Sequence, residues 1–291
     1  MPETSSISPL PDSRLYTFID GPREFALYFL EGQKLIADLA LRQRIHGAGF
    51  AYFRDVVLSV QPMIALLKGG EQLGFYIDSP EPEFCIKIEA AHRGATRCSS
   101  WPDGLAGMSG SLRGMVRVQK IFPNDKPPQE SVLEVKDLPL RELVNRVLAE
   151  SYQVSSAIVV SQKCDQSAML HQLPPLTGKD DYELSIEAVR SRREGIREAL
   201  DGIFAAALHG ADDIVQAFAA IGFRLLASRA VVFHCSCSRS RMVENVRRLW
   251  QRDPDGLFGE DSDVLEITCE YCKEQYIISQ EDLAAPPETV H

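Results

Sequence analysis

Phe233-His234-Cys235-Ser236-Cys237-Ser238-Arg239 and Ile267-Thr268-Cys269-Glu270-Tyr271-Cys272-Lys273 carry four of the chain's seven cysteines in two tight pairs. Each pair can present two sulfurs on one side of a short loop. Two such loops brought together supply four thiolates in the tetrahedral arrangement that suits zinc. Soft sulfur donors disfavour magnesium and calcium. Spacing alone leaves an iron–sulfur cluster open, and the first pair is Cys-x-Cys rather than the commoner Cys-x-x-Cys, so this is not a standard zinc ribbon. The expected ligands are Cys235, Cys237, Cys269 and Cys272, around one zinc ion. His234 stands beside Cys235, but four cysteines already complete a tetrahedral shell.

The residues between the pairs suit a compact piece stapled by metal. Arg241 to Arg252 places Met242, Val243, Val246, Leu249 and Trp250 at helical spacing, and Asp253-Pro254-Asp255-Gly256 breaks that helix. Val264 to Ile267 predicts a strand entering the second loop, and Tyr276 to Ile278 a strand leaving it. So small a unit has little core and leans on metal for its fold. The same sulfurs are oxidisable. Four thiolates around a dication leave a net negative site, which Arg239, Arg241 and Lys273 are close enough in sequence to offset. A thiolate attacked by peroxide condenses with a neighbouring thiol, and each ligand has one within two or three positions. Spacing alone favours a permanently closed zinc site with no switching.

Upstream, residues 1–13 are polar and proline-bearing and predict a disordered tail. Residues 14–178 predict a mixed α+β core. From Pro22 to about Ile45, Phe25, Leu27, Phe29, Leu30, Leu35, Ile36, Leu39 and Leu41 suit helices with a break at Gly32, and Ala51 to Leu67 suits another, ended by Lys68-Gly69-Gly70. Gly74 to Ile77, Phe84 to Ile88, Met115 to Phe122 and Ser131 to Val135 are short, partly alternating runs that predict strands. Leu138 to Glu150 predicts a helix with one apolar stripe. Ala157 to Ser161 and Ala168 to Leu173 predict two more strands, closed by Pro174-Pro175. Helices first, then strands with an inserted helix, argue for an α+β domain. Residues 179–230 are charge-dense, with sparse apolar positions at Leu184, Ile186, Val189, Ile196 and Leu200, and then a short helix and an extended segment within 211–229. They predict a helical linker of modest intrinsic stability or an ordinary solvated helix pair. Residues 231–291 form the expected zinc-binding domain.

Composition narrows the function classes. Of 291 residues 45% are hydrophobic, enough for a sizeable core, and 41 acidic against 31 basic residues give a formal net charge of −10. That balance argues against non-specific nucleic-acid binding, which needs positive surface. The polar N-terminus lacks a signal-peptide pattern, and no apolar run approaches the roughly 20 residues of a membrane span. The expectation is a cytoplasmic protein with no membrane partner, where close cysteines serve as ligands or redox thiols rather than permanent disulfides.

These residues resemble the 33-kDa chaperonin family, the redox-regulated heat-shock chaperones. The resemblance rests on the two cysteine segments quoted above with Tyr276, and extends through Gly114-Met115-Val116-Arg117-Val118, the stretch from Glu130 to Ser156-Ala157, and Ala168-Met169-Leu170-His171-Gln172-Leu173-Pro174. Family members usually carry a Gly-Asp-Gly-Pro turn in the core, followed by an arginine-glycine-tyrosine segment. The corresponding region here, Ile77-Asp78-Ser79-Pro80 to Arg97, lacks that turn, and Arg93-Gly94-Ala95 is a loose echo. The resemblance implies an ATP-independent holdase that is inactive while reduced and zinc-bound. It also implies that oxidation forms disulfides Cys235–Cys237 and Cys269–Cys272, releases zinc, unfolds the small redox-switch domain and frees the 179–230 linker. The client-binding core then holds unfolding proteins, as a homodimer when oxidised.

The remaining residues carry little chemistry. Cys85, Cys98 and Cys164 have no close thiol neighbour in sequence and suit small packed hydrophobes. Asp103, Asp180 and Asp181 lack a recognisable catalytic partner, and there is no phosphate loop or nucleophile elbow, so no enzymatic activity is expected. The alternative is a zinc-binding or nucleic-acid interaction module without switching, for which Arg239, Arg241, Arg247, Arg248 and Arg252 would supply a basic face. A thioredoxin-like oxidoreductase is disfavoured, because Cys269-x-x-Cys272 does not open a helix after a strand.

Overall fold

A computed structural model of the chain describes residues 10–284 apart from 23, 106, 109, 125, 175–185, 254–256 and 259–262. It divides into two compact units between Phe233 and His234. The expected tail over 1–13 lies mostly outside the described residues. At its end, Ser13 is buried and its hydroxyl accepts the Leu35 N–H at 3.0 Å.

The first unit opens with two strands, β1 (Arg14–Asp20) and β2 (Phe25–Glu31), followed by α1 (Gln33–Arg42), α2 (Ala48–Val60) and a 3-10 turn over Gln61–Leu66. The helix expected across Phe25–Leu30 is therefore a strand. The physical reason is burial on both faces: Phe25, Leu27 and Phe29 face one apolar cluster while Leu30 faces another. A strand buried on both sides loses its alternation and reads as a continuous apolar run. The expected break at Gly32 holds. A Cβ there would lie 2.9 Å from a Leu58 methyl and 3.1 Å from the Asp165 carbonyl oxygen, so only glycine lets the chain pass from β2 into α1.

Five antiparallel strands follow: β3 (Gln72–Pro80), β4 (Glu83–Ala91), β5 (Ala95–Trp101), β6 (Ser111–Ile121) and β7 (Gln129–Pro139). Then come α3 (Leu140–Val147), one π-helical turn at Leu148–Tyr152, β8 (Ser156–Val160) and β9 (Gln166–Gln172). α4 (Ile186–Ala206), α5 (Ala211–Ala220), β10 (Phe223–Ala230) and the two-residue β11 (Val232–Phe233) complete the unit. Thus α4, α5 and β10, within the expected linker, pack as parts of the first unit. Lys179 to Leu184 and Pro175 lie outside the described residues.

The strands make two sheets, one ordered β10-β1-β2-β9-β8 and the other β11-β5-β4-β3-β6-β7. One cluster joins the inner face of the six-stranded sheet (Phe75, Ile77, Ile86, Val116) to α1–α3 and to Leu15, Leu30, Ile158 and Met169 of the five-stranded sheet. A second cluster covers the opposite face of the five-stranded sheet, where Phe18, Leu27, Phe29 and Leu170 meet Val189, Ile196, Leu200 and Phe204 of α4 and Ile214 and Phe218 of α5. The charge-dense α4 so buries a real apolar stripe.

β5 has no counterpart among the expected strands, because Thr96, Ser99 and Ser100 are buried polar residues that mimic a loop in sequence. Hydrogen bonds make that burial tolerable. Thr96 Oγ1 donates to Gln61 Oε1 at 3.2 Å, and Gln43 Nε2 donates to the Cys98 carbonyl at 2.9 Å. Gly94, in the β4–β5 turn, has φ +95°, and a Cβ there would collide with the carbonyl oxygen of Ala230. Gly94→Ala is expected to destabilise the core by about 2–3 kcal/mol, seen as a lower denaturant midpoint at unchanged slope; an unshifted midpoint would contradict the packing described.

The second unit holds α6 (Arg239–Trp250), the antiparallel pair β12 (Val264–Thr268) and β13 (Gln275–Ser279), and α7 (Gln280–Ala284). The helix and both strands expected here are present, and α7 is additional. Of the expected break at 253–256, only Asp253 falls among the described residues. Among the described residues, the second unit's apolar cluster buries Val243, Val246, Phe258, Ile278 and Leu283.

Candidate metal centre

Two loops of the second unit bring the four cysteines together. The first runs from His234 into α6, whose N-cap is Ser238: its hydroxyl accepts the Arg241 N–H at 3.3 Å. The Arg241 guanidinium turns back to donate to the Ser236 carbonyl at 2.8 Å and its hydroxyl at 2.5 Å. That contact fixes the residue between Cys235 and Cys237. The second loop is the turn from β12 to β13, closed by the Cys269 N–H on the Glu274 carbonyl and the Lys273 N–H on the Cys269 carbonyl, both at 2.9 Å. Lys273 has φ +62°, a left-handed conformation that makes the turn tight enough for both sulfurs to face one side.

The four sulfurs of Cys235, Cys237, Cys269 and Cys272 lie within 4.8 Å of one another and could hold a metal ion. Cys235 and Cys269 approach to 3.8 Å, Cys237 and Cys272 to 3.1 Å. Zinc–sulfur bonds of about 2.3 Å in a tetrahedron require sulfur–sulfur edges of about 3.8 Å, so the donor set fits such an ion with small adjustment. Cys269 is buried and the other three are half-buried. His234 does not join the cluster among the described residues.

As neutral thiols these groups are strained together chemically. Burial pushes the Cys272 thiol up, and hydrogen bonding to Cys237 pushes it further. The Tyr276 hydroxyl donates to Cys237 Sγ at 3.1 Å, and that bond, more than burial, holds its phenol well above the ordinary range. A dication among the sulfurs would reverse this by favouring thiolates. Tyr276 then acts as a donor to a ligand sulfur, a role that its place in a predicted strand does not announce. Tyr276→Phe is expected to weaken metal affinity about tenfold, measured by competition with a chromogenic chelator; unchanged affinity would remove it from the site.

The arginines nearby are engaged within the unit. Arg239 pairs with Asp282 at 2.6 Å, and Arg247 pairs with Glu244 at 3.1 Å and donates to the carbonyls of Asp282 and Leu283. Arg248 reaches Glu244 at 3.3 Å. Asp282 also accepts the Ser279 N–H at 2.8 Å while the Ser279 hydroxyl accepts the Asp282 N–H, a reciprocal cap on α7. The Ser279 N–H, followed by Arg239, holds the Asp282 carboxyl down at about 2. Arg239 therefore ties α6 to the cap of α7 rather than facing a ligand.

The other cysteines stand apart from this cluster. Cys98 is fully buried on β5 and Cys85 half-buried on β4. Cys164, in the β8–β9 loop, donates to the Phe204 carbonyl at 3.3 Å, and burial raises its pKa, which disfavours the reactive thiolate.

Comparison with known proteins agrees with the fold. Residues 13–279 match the family model described as Hsp33 protein. The 33 kDa chaperonin of Citrifermentans bemidjiense is 25% identical over 239 residues, covering 76% of this chain and 78% of that protein. The 33 kDa chaperonin of Pseudomonas paraeruginosa is 25% identical over 198 residues, covering 66% and 65% respectively. Among solved structures, the crystal structure of the 33 kDa chaperonin from Thermotoga maritima aligns with a TM-score of 0.70 over 94% of this chain and 97% of that one, at 12% identity.

Proposed function

This chain belongs to the Hsp33 family, and on that premise we propose that it is a redox-regulated, ATP-independent holdase. The reduced form binds one zinc ion through Cys235, Cys237, Cys269 and Cys272 and is inactive. The observation that carries this reading is the convergence of four sulfurs within 4.8 Å on the two loops of a unit whose core, among the described residues, buries five apolar side chains. Such a unit depends on whatever crosslinks its loops.

Zinc, when bound, holds the thiolates deprotonated and the loops together. The chain's own chemistry does the rest. A thiolate attacks peroxide, breaking the O–O bond to give a sulfenic acid and hydroxide. The adjacent thiol then displaces water from that sulfenic acid and forms the disulfide, so each two-electron oxidation consumes one peroxide. Cys235–Cys237 and Cys269–Cys272 are the proposed pairs. Each ligand lost weakens the site until the metal is no longer held, the unit beginning at His234 unfolds and the 179–230 segment loosens. The 14–178 core then binds unfolding clients by burying their apolar surface, as a homodimer in the cytoplasm, with no catalytic role.

The alternative, a zinc or nucleic-acid module without switching, is disfavoured by the arginines. Arg239, Arg247 and Arg248 are paired with acidic groups of the same unit, which neutralises much of the basic face. Metal content and a single variant test the proposal. The reduced protein should contain one zinc per chain, and Cys269→Ser should lose both that zinc and the oxidant-dependent gain of activity. A Cys269→Ser protein that switched normally would remove this cysteine from the mechanism.

A further inference from the structure

We propose that His209 and the buried Glu31 carboxylate form a latch that clamps the C-terminal end of α4 to the core, and that the grip of this latch sets how much oxidant the chain needs before it gains activity. The proposal rests on the holdase reading above and names a contact that regulates it.

A helix leaves its last carbonyls without partners inside itself. α4 ends at Ala206, and the core supplies partners for its last turn and the residues that follow. Cys164 Sγ donates to the Phe204 carbonyl at 3.3 Å, and the fully buried Gln166 donates through Nε2 to the Leu208 carbonyl at 2.7 Å. One residue further on, His209 Nδ1 lies 3.0 Å from Glu31 Oε1, which also accepts the Gln33 N–H at 3.3 Å. These partners sit on a braced frame. The Arg54 guanidinium, from α2, donates to Asp165 Oδ1 at 2.6 Å and to the Ser161 carbonyl at 2.8 Å. The Gly32 N–H donates to the Asp165 carbonyl at 2.8 Å, which joins the end of β2 to the β8–β9 loop.

Two opposing effects meet at this turn. The Glu31 side chain is 2% exposed, whereas that of His209 is 38% exposed. With the turn docked, the carboxylate is out of water, and His209 is the group on the turn that offsets that cost. Burial pushes the Glu31 carboxyl above its ordinary range, and the bond to His209 opposes the shift. Without His209 the docked state would keep an unpaired buried charge, while in the released state water solvates it. Against the latch works Ala207, whose φ of +47° is a left-handed conformation that suits glycine better than alanine. The docked turn is therefore held by one side chain and strained by its neighbour. Once it lets go, α4 and α5 can uncover the Phe18, Leu27 and Phe29 face of the five-stranded sheet, apolar surface of the kind an unfolding client would bury.

Amide exchange in the full-length, reduced, zinc-loaded protein tests the latch. The peroxide concentration that gives half-maximal suppression of client aggregation tests its consequence. His209→Ala should speed exchange of α5 amides about tenfold and lower that peroxide concentration about threefold, with zinc content unchanged. His209→Asn, whose amide can still donate to Glu31, should stay within about twofold of the parent protein in both measurements. Ala207→Gly relieves the left-handed strain, so it should slow exchange about threefold and raise the peroxide requirement. Exchange unmoved by His209→Ala, or equally fast in His209→Ala and His209→Asn, would overturn the latch. So would faster exchange at an unchanged peroxide requirement. A parent protein that never gains suppression on oxidation sinks the holdase reading and the regulatory claim with it. One that switches normally while the variants do not differ from it sinks the latch alone.

Discussion

Stripping the metal from the reduced protein is expected to unfold residues 234–284 as a unit while both sheets of the first unit survive. The two units differ greatly in core. Among the described residues, Val243, Val246, Phe258, Ile278 and Leu283 make up the buried cluster of the second. A cluster of that size does not offset the entropy of ordering the chain around it, whereas a four-thiolate zinc site contributes on the order of 10–16 kcal/mol near neutral pH. Amide exchange reads the outcome. After chelation the β12–β13 ladder, from Val264↔Ser279 to Thr268↔Gln275, should lose protection, while the β3–β4 and β3–β6 ladders keep theirs. Persistent protection of β12–β13 in the metal-free, reduced protein would mean that packing alone holds the unit.

Phe218→Ala is expected to cost about 3–5 kcal/mol of core stability, with a further loss from broken ring contacts of about 0.5–1.5 kcal/mol per pair. The Phe218 ring stacks on Phe18 at 4.6 Å between centroids and tilts against Phe29 at 4.9 Å. α5 fully buries Ile214 and Phe218, with Val215 and Ala217 partly buried beside them, so truncating Phe218 removes the largest side chain that attaches that helix to the five-stranded sheet. The prediction has a local signature. Amides of α5 should exchange faster than those of β1, and the denaturant midpoint should fall. Under the holdase proposal, the same variant should also need less oxidant to become active. A loss below about 1 kcal/mol would show that α5 is attached by contacts other than those described.

The candidate site was legible in the sequence because ligand spacing is a local property. Cys235, Cys237, Cys269 and Cys272 lie in two short segments, and only their convergence needed the fold. The role of Tyr276 was not legible, because a hydroxyl reaching across to Cys237 depends on the register of β13 against β12. The core was read less well where burial is two-sided. Phe25 to Leu30 gives an apolar run with no period, and only the presence of apolar clusters on both faces of β2 decides for a strand. β5 failed for the opposite reason. Its inward Thr96 hydroxyl is bonded to Gln61 and the Ser100 N–H to Gln43, both from distant helical segments, a long-range fact invisible in a short window. α4 lies between these cases. Its charges dominate the composition, yet Val189, Ile196, Leu200, Ile203 and Phe204 are all buried. Val231 to Phe233, expected to open the metal domain, belong instead to the first unit, where Val231 is buried and Val232–Phe233 pair with β5.

The central claim is that thiol oxidation, zinc loss and chaperone activity are one event. A single reaction tests it: peroxide is added with mild heat to the reduced protein in the presence of an unfolding client, while a chromogenic zinc indicator and light scattering are followed together. Suppression of aggregation should be absent before oxidation, and one zinc per chain should then be released with suppression rising on the same or a slightly later time course. Suppression by the reduced protein at full strength, or suppression that appears while zinc stays bound, would contradict it.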